Sequence, residues 1–263
     1  MRELARRHLG KLVAGVALAA AGAAVAIGAS LPGDAGSAGD AARAGAAQRD
    51  AVAPEGTVEA APAEGDKGVG RDPLTDAETE RAEQLAVSGT ALRRDARDVE
   101  GDRGPQHLST NLTEVDPGLS AAEAAQRRAD VVYYDYKSDS VVTKTVNLDT
   151  GKVEDTRTDR GVQPPPNKDE LAEAAQLLIA DPLGAGLKSD YKDATGKALT
   201  TQDQLQLSGM VFRKETVADV PSDLTECGKH RCLRVVAKVK NGPWIDTRAL
   251  VVDLSDRTVG RLT

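Results

Sequence analysis

The sequence predicts an α+β fold in which an antiparallel meander sheet has a helix packed across it. Three observations support this prediction. Stretches rich in β-branched and aromatic residues are concentrated after residue 129, short turn signals join them, and capping patterns mark three helix starts. The resulting order is helix, meander, helix, meander, which is typical of a helix layer on an antiparallel sheet.

Each predicted helix start has a capping residue followed by Glu three positions later. The pairs are Thr75 with Glu78, Ser120 with Glu123, and Asn167 with Glu170. They predict helices over residues 76–87, 121–129 and 168–180. An apolar stripe at helical spacing runs along the third helix and comprises Leu171, Ala174, Ala175, Leu178 and Ile179. We expect Leu178 to face the sheet that contains Val132 and Val146, and Glu173 to be solvated.

The strand signals form two groups separated by the third helix. The predicted strands are residues 130–137, 141–148, 152–157, 204–217, 231–240, 245–254 and 258–262. Asp149-Thr150-Gly151 and Asn241-Gly242-Pro243 are tight-turn signals between adjacent strands, so both groups are expected to be antiparallel.

The N-terminal region has the layout of an export signal. Basic residues 1–11 precede the uncharged apolar run 12–31, and Arg6 with Arg7 forms the pair that a twin-arginine signal requires. The sequence therefore predicts a secreted or cell-surface protein, exported by the twin-arginine route. An uncleaved anchor is the alternative for residues 1–31, and residues 12–31 would then be the only membrane contact.

Composition divides the rest of the chain into three parts. Residues 32–71 are rich in Ala, Gly and Pro without apolar periodicity, which predicts a disordered linker. Residues 72–118 lack aromatic residues and are predicted to form a small, weak α+β unit. Residues 119–263 are predicted to form the main α+β domain.

Charge and motifs exclude several function classes. The formal net charge of −7 argues against a nucleic-acid partner, because phosphate binding requires a basic surface. Hydrolase, phosphate-loop and metalloprotease motifs are absent from the sequence. We therefore predict no catalytic residue, no cofactor and no metal ligand. The expected partner is an unknown protein or a small ligand at the cell surface.

Cys227 and Cys232 flank a short loop that contains His230. A structural disulfide is favoured, because an exported protein meets an oxidising compartment. A metal site and a redox pair are the alternatives, although two Cys with one His are few ligands for a metal, and redox motifs usually place two residues between the cysteines.

Three aromatic residues are candidates for a binding surface. Strand alternation places Tyr134 and Tyr136 on one face, where they form either a ligand platform or ordinary packing. Trp244 is the only Trp of the chain and follows a turn, so it is either a rim anchor of the core or part of a binding surface.

The central stretch resembles the N-terminal domains of copper amine oxidases. Residues 127–136, 146–148 and 161–165, followed by the helix 170–182, resemble the third of these domains, in which an Arg-Ala-x-Val-Val strand and a Gly-x-Gln-Pro segment precede a helix. Residues 72–78 and 112–117 resemble the opening and closing segments of the second domain. The C-terminal part with the Cys loop departs from the pattern.

The resemblance implies an α+β fold and an accessory role without catalysis. In that family the chemistry belongs to a separate catalytic domain, where a Tyr in an Asn-Tyr-Asp/Glu motif becomes a quinone and three His bind copper. No Tyr follows an Asn in this chain, and only His107 and His230 lie beyond the predicted signal. The expected function is thus an exported, non-catalytic interaction module. The alternatives are a small-ligand-binding surface protein and a subunit that supports an amine oxidase.

Overall fold

The computed structural model describes residues 62–115, 117–118 and 120–262, and the fold of this part is α+β with antiparallel sheets and helices packed across them. The predicted signal 1–31, with Arg6 and Arg7, and most of the predicted linker 32–71 lie outside the described residues. Within the described part, no helix has the length and apolar character needed to cross a bilayer.

The N-terminal module, residues 62–160, is a helix on a four-stranded meander. Its elements are α1 Asp76–Val87, α2 Ala91–Asp95, β1 Gln106–Leu112, α3 Ala121–Ala124, β2 Arg128–Asp135, β3 Ser140–Asn147 and β4 Lys152–Arg160. The sheet order is β1-β2-β3-β4, with every neighbouring pair antiparallel. Helix α1 buries Ala82 and Ala86 in a core shared with Val131, Tyr133 and Val146.

The C-terminal module, residues 161–262, repeats this plan with an extra helix. Its elements are α4 Lys168–Ala180, α5 Ala185–Thr195, β5 Leu205–Phe212, β6 Cys232–Val239, β7 Trp244–Ile245, β8 Leu250–Asp253 and β9 Thr258–Arg261. The sheet order is β5-β6-β8-β9, and the short β7 also pairs with β6. The largest apolar cluster of the described residues lies between α4, α5 and this sheet.

The sequence predicted α1 and α4 with the bounds that the structure has, and it predicted both meanders. The predicted helix 121–129 is only four residues long, because the chain enters strand β2 at Arg128. Helix α5 and strand β1 had not been predicted.

The predicted boundary at residue 118/119 divides a single sheet. Strand β1 lies before this boundary and pairs with β2, which lies after it. Helix α1 also packs on β2 and β3. In the structure, residues 62–160 therefore form one module, and the main domain of the prediction contains strands from two sheets.

The packing partner expected for α4 was wrong. Leu178 lies in the core of the C-terminal module with Leu233 and Val235, whereas Val146 belongs to the α1 core. The sequence predicted capped helices at both α1 and α4, and each of them packs on the sheet of its own module. Glu173 is not freely solvated either, since one carboxylate oxygen accepts a hydrogen bond from Arg257 at 2.5 Å.

The two modules share a buried Glu–Arg ion pair at the start of the helix that packs on the sheet. In the first, the N3 residue Glu78 forms an ion pair with Arg127, with Oε1 to Nε at 2.7 Å and Oε2 to Nη2 at 2.8 Å. In the second, Glu170 pairs with Arg231 through the same atoms at the same distances. Each Arg directly precedes the second strand of its sheet and donates to carbonyls of the loop before its helix.

The correspondence extends to the third strand of each module. The amide of Leu148 donates to the carbonyl of Arg127 at 2.9 Å, and the amide of Leu254 donates to that of Arg231 at 2.9 Å. Residues Arg127 and Arg231 are therefore equivalent positions, and the two sheets can be compared residue by residue.

Candidate ligand-binding cleft

A cleft of about 460 Å³ lies on the outer face of the C-terminal sheet, opposite the helix layer. Its apolar lining comes from Met210 on β5, Val236 on β6 and Trp244 on β7. Trp244 is 65% exposed and Met210 is 55% exposed, which is unusual for residues of this size. An open cleft with exposed apolar side chains and few polar groups is a typical ligand site, and this volume lies within the usual range.

The cleft exists because the third strand of the C-terminal sheet is interrupted. In the N-terminal module, Thr143 alone separates Val142 from Lys144 in the continuous strand β3. At the equivalent place, the four residues 246–249 separate Ile245 from Leu250. This insertion leaves the plane of the ladder, and Asp246, Thr247 and Arg248 line the cleft.

The insertion is held by hydrogen bonds within the cleft wall. The hydroxyl of Thr247 donates to the carbonyl of Val235 at 2.6 Å, and this buried bond fixes the insertion to β6. Arg248 is bidentate to Asp246 at 3.0 and 2.8 Å, and its carbonyl accepts from Arg234. Hydrogen bonds within the protein thus hold the wall of the cleft in place.

The charges in and around the cleft are mostly positive. Arg248 is paired with Asp246, but Arg234 and Lys238 contact no carboxylate among the residues the structure describes. The ammonium of Lys238 lies 5.3 Å from the centre of the Trp244 ring, which is a cation–π distance. The chain as a whole has a net charge of −7, so the charge of this face is opposite in sign to the net charge of the chain.

Trp244 lies on this outer face rather than in the core, whereas Tyr134 and Tyr136 do not form a surface. Tyr134 is fully buried, its ring packs edge to face on Tyr136 at 4.7 Å, and the Arg231 guanidinium lies 5.2 Å from its centre. The hydroxyl of Tyr136 donates to Glu170 at 2.6 Å. The platform alternative is therefore wrong, because the C-terminal module covers this face of the first sheet.

The predicted disulfide between Cys227 and Cys232 is confirmed. Both cysteines are fully buried, and their Cα atoms are 5.4 Å apart. The amide of Gln163 donates towards the carbonyls of Gly228 and His230 in the closed loop. A structural disulfide is typical of proteins in oxidising compartments, and with both thiols oxidised the metal-site alternative is removed.

His230 lies in a carboxylate cluster that has a counterpart in the first module. Its Nδ1 is 2.9 Å from an Asp253 carboxylate oxygen, with Asp256 at 3.6 Å and Asp139 at 4.0 Å. At the equivalent positions, the Asn147 amide donates to the Gln126 carbonyl oxygen at 2.9 Å. In both modules this contact therefore joins the residues just before the second strand to the end of the third strand. Because the first module makes the contact with two neutral amides, a structural role explains the contact in the second module without a metal.

Burial and charge act in opposite directions on this histidine. Burial lowers the pKa of His230, but the hydrogen bond to Asp253 and the nearby carboxylates outweigh it and raise the pKa above its usual value. For Asp253, burial raises the pKa, and this effect exceeds the lowering caused by the hydrogen bond and the charge of His230. A pKa that is higher in the folded state contributes stability below the unfolded value, and this contribution is lost as the pH rises.

We expect the free energy of unfolding to fall as the pH rises from about 6.5 through the raised pKa of His230. The double substitution His230→Gln with Asp253→Asn recreates the neutral pair of the first module, so it should preserve the fold and remove this slope. Urea unfolding of both proteins between about pH 5.5 and 8.5 measures the difference. Parallel curves would show that the cluster does not titrate in this range.

Apart from Trp244, sequence reasoning missed the residues that line the cleft. Met210, Arg234 and Lys238 sit in strands whose alternation places them opposite the buried positions, and that signal was available. Asp246 and Arg248 were assigned to a continuous strand 245–254, so the insertion was not anticipated.

Comparison with known proteins adds a distant structural neighbour. No protein-family model matches the sequence, and no curated protein is significantly similar to it. Among solved structures, the chain is similar to a copper-containing benzylamine oxidase from Hansenula polymorpha, with a TM-score of 0.44 and 12% identity. The match covers 74% of this chain and 30% of the oxidase chain. The assignment of the fold therefore rests on the elements described above.

Proposed function

We propose that this chain is an exported, non-catalytic binding module that acts through the Trp244 cleft. The observation that carries the proposal is the pair of large, exposed apolar side chains, Trp244 and Met210, above a cleft that only the second of two similar modules has. Exposing this apolar area has a cost in water, and contact with a ligand would remove it.

Comparison of the modules indicates that the cleft is not needed for the fold. The position of Met210, paired with Arg234, corresponds to Asn111, which is paired with Asp130 in the first sheet. At these two positions the first module is thus polar, and its third strand is continuous. Since the same architecture forms without Trp244 or the insertion, binding is the better explanation for them.

The polar clusters favour a module without catalysis. Glu78, Arg127, Glu170 and Arg231 are buried in ion pairs that fasten each helix start. His230 joins the start of β6 to the end of β8 through Asp253. His107 forms a hydrogen bond with Thr110 at 2.9 Å and lies close to Glu83. These groups act on the fold, and none of them lines the cleft.

Export completes the proposal and is supported by the buried disulfide. A disulfide of this kind persists in an oxidising compartment, and the paired Arg6 and Arg7 before an apolar run supply a route to it.

A charge-diverse fragment library tests the binding function on the full chain. At least one fragment should change the fluorescence of Trp244, which is the only Trp and reports directly on the cleft. The same fragment should shift the melting temperature of the wild type but not that of Trp244→Ala, because the ring supplies much of the contact area. Phe212→Leu is the control that should keep the shift, because Phe212 does not line the cleft and is buried in a separate cluster with Leu224 and Val251.

Fragments that bind equally well to Trp244→Ala, or no hits at all, would contradict the proposed function. Amines belong in the library, and the copper-loaded chain should release no hydrogen peroxide from them. Peroxide release would contradict the non-catalytic part of the proposal.

A further inference from the structure

We infer that the Trp244 cleft binds small organic carboxylates that carry an aromatic ring or an alkyl chain, and that it disfavours amines. This inference rests on the proposed function and adds the chemical class of the ligand. Two features of the cleft select that class, its apolar surface and the sign of its unpaired charges.

The apolar part of the ligand has a defined place. Trp244, Met210 and Val236 come from three adjacent strands and border one open cleft of about 460 Å³. This volume is large enough for a molecule with one ring or a short alkyl chain. A flat ring can stack on the exposed indole, and the flexible Met210 side chain can adapt to its shape.

The anionic part of the ligand would lie near Arg234 and Lys238. The guanidinium of Arg234 donates to the Arg248 carbonyl and retains further N–H groups, since an Arg has five. Lys238 has no carboxylate partner among the described residues and lies over the Trp244 ring. A carboxylate next to a stacked ring can therefore accept charge-assisted hydrogen bonds from either cation.

The first module shows that this positive charge is specific to the cleft. The position of Arg234 is occupied there by Asp130, whose carboxylate accepts from the Thr145 hydroxyl at 2.7 Å. The same place in the same architecture thus has the opposite charge. A cationic amine would meet Arg234 and Lys238 as like charges. Asp246, the only acid among the described residues that line the cleft, is already bidentate with Arg248.

Three probes with the same phenylpropyl skeleton test the inference, namely 3-phenylpropanoate, 3-phenylpropanamide and 3-phenylpropan-1-amine. Titrations of the full chain, followed by Trp244 fluorescence, should give the tightest binding for the carboxylate, about fivefold tighter than the amide. The amine should bind more weakly than the amide. High salt should reduce the preference for the carboxylate, because the cations are partly exposed.

Charge variants locate the preference. Arg234→Gln with Lys238→Gln should bind the carboxylate and the amide equally, while Lys152→Gln, an exposed cation on β4 of the other sheet, should keep the wild-type ratio. Equal binding of the three probes to the wild type, or tighter binding of the amine, would overturn the ligand class but leave the binding function intact. Failure of all three probes would also overturn it, whereas the proposed function fails only if the library gives no Trp244-dependent ligand.

Discussion

Arg231→Met is expected to lower the free energy of unfolding by about 3–5 kcal/mol, because it leaves the Glu170 carboxylate buried without its counter-charge. Both side chains are 0% exposed. Burial acts to lower the pKa of Arg231, and the hydrogen bond and charge of Glu170 outweigh it and raise that pKa. The substitution also removes the bond that Arg231 donates to the Pro164 carbonyl at 2.8 Å. Chemical denaturation at neutral pH measures the loss.

A double variant separates the cost of an orphaned charge from the loss of the contact itself. Arg231→Met combined with Glu170→Leu removes both charges, so it should be more stable than Arg231→Met alone. Arg157→Gln removes one partner of a surface pair whose Arg is 71% exposed, and it should change stability by less than about 1 kcal/mol. If Arg231→Met were as mild as Arg157→Gln, the buried pair would not fasten the helix start.

The partner of Glu170 shows where local sequence patterns end. The pattern Asn167-x-x-Glu170 predicted the start of α4 because a capping box uses contacts within three residues. The same Glu also binds Arg231, 61 residues further along the chain. No local rule connects these positions. The repetition of the pair as Glu78 and Arg127 is a signal that a search for internal repeats could have found.

The tyrosines show a different limit of sequence reasoning. Alternation correctly placed Tyr134 and Tyr136 on one side of the sheet, opposite Tyr133, which packs in the α1 core, although β2 ends at Asp135. It could not tell whether that face meets water or another module. In this chain the C-terminal module covers that face through Arg231 and Glu170. Only the tertiary structure shows this contact.

The cleft was beyond prediction for a related reason. Residues 244–254 have the composition of one strand, and the antiparallel turn at Asn241-Gly242 was predicted correctly. Only the pairing register shows that residues 246–249 leave the ladder. The extra residues between Ile245 and Leu250 are recognised only when the strand pairings of the two sheets are compared.

Leu178→Ala is expected to lower the free energy of unfolding by about 2–5 kcal/mol, since the side chain is 1% exposed in the core between α4 and the C-terminal sheet. The loss combines the transfer of the apolar group with a cavity that rigid neighbours, such as Leu233 and Val235 on β6, cannot fill. Gln176→Ala on the same helix is the matched control and should change stability by less than about 0.5 kcal/mol, because its side chain is only partly buried. Glu173 is unsuitable as a control, since it pairs with Arg257. Equal losses at Leu178 and Gln176 in urea unfolding would mean that α4 does not pack on the second sheet through its apolar stripe.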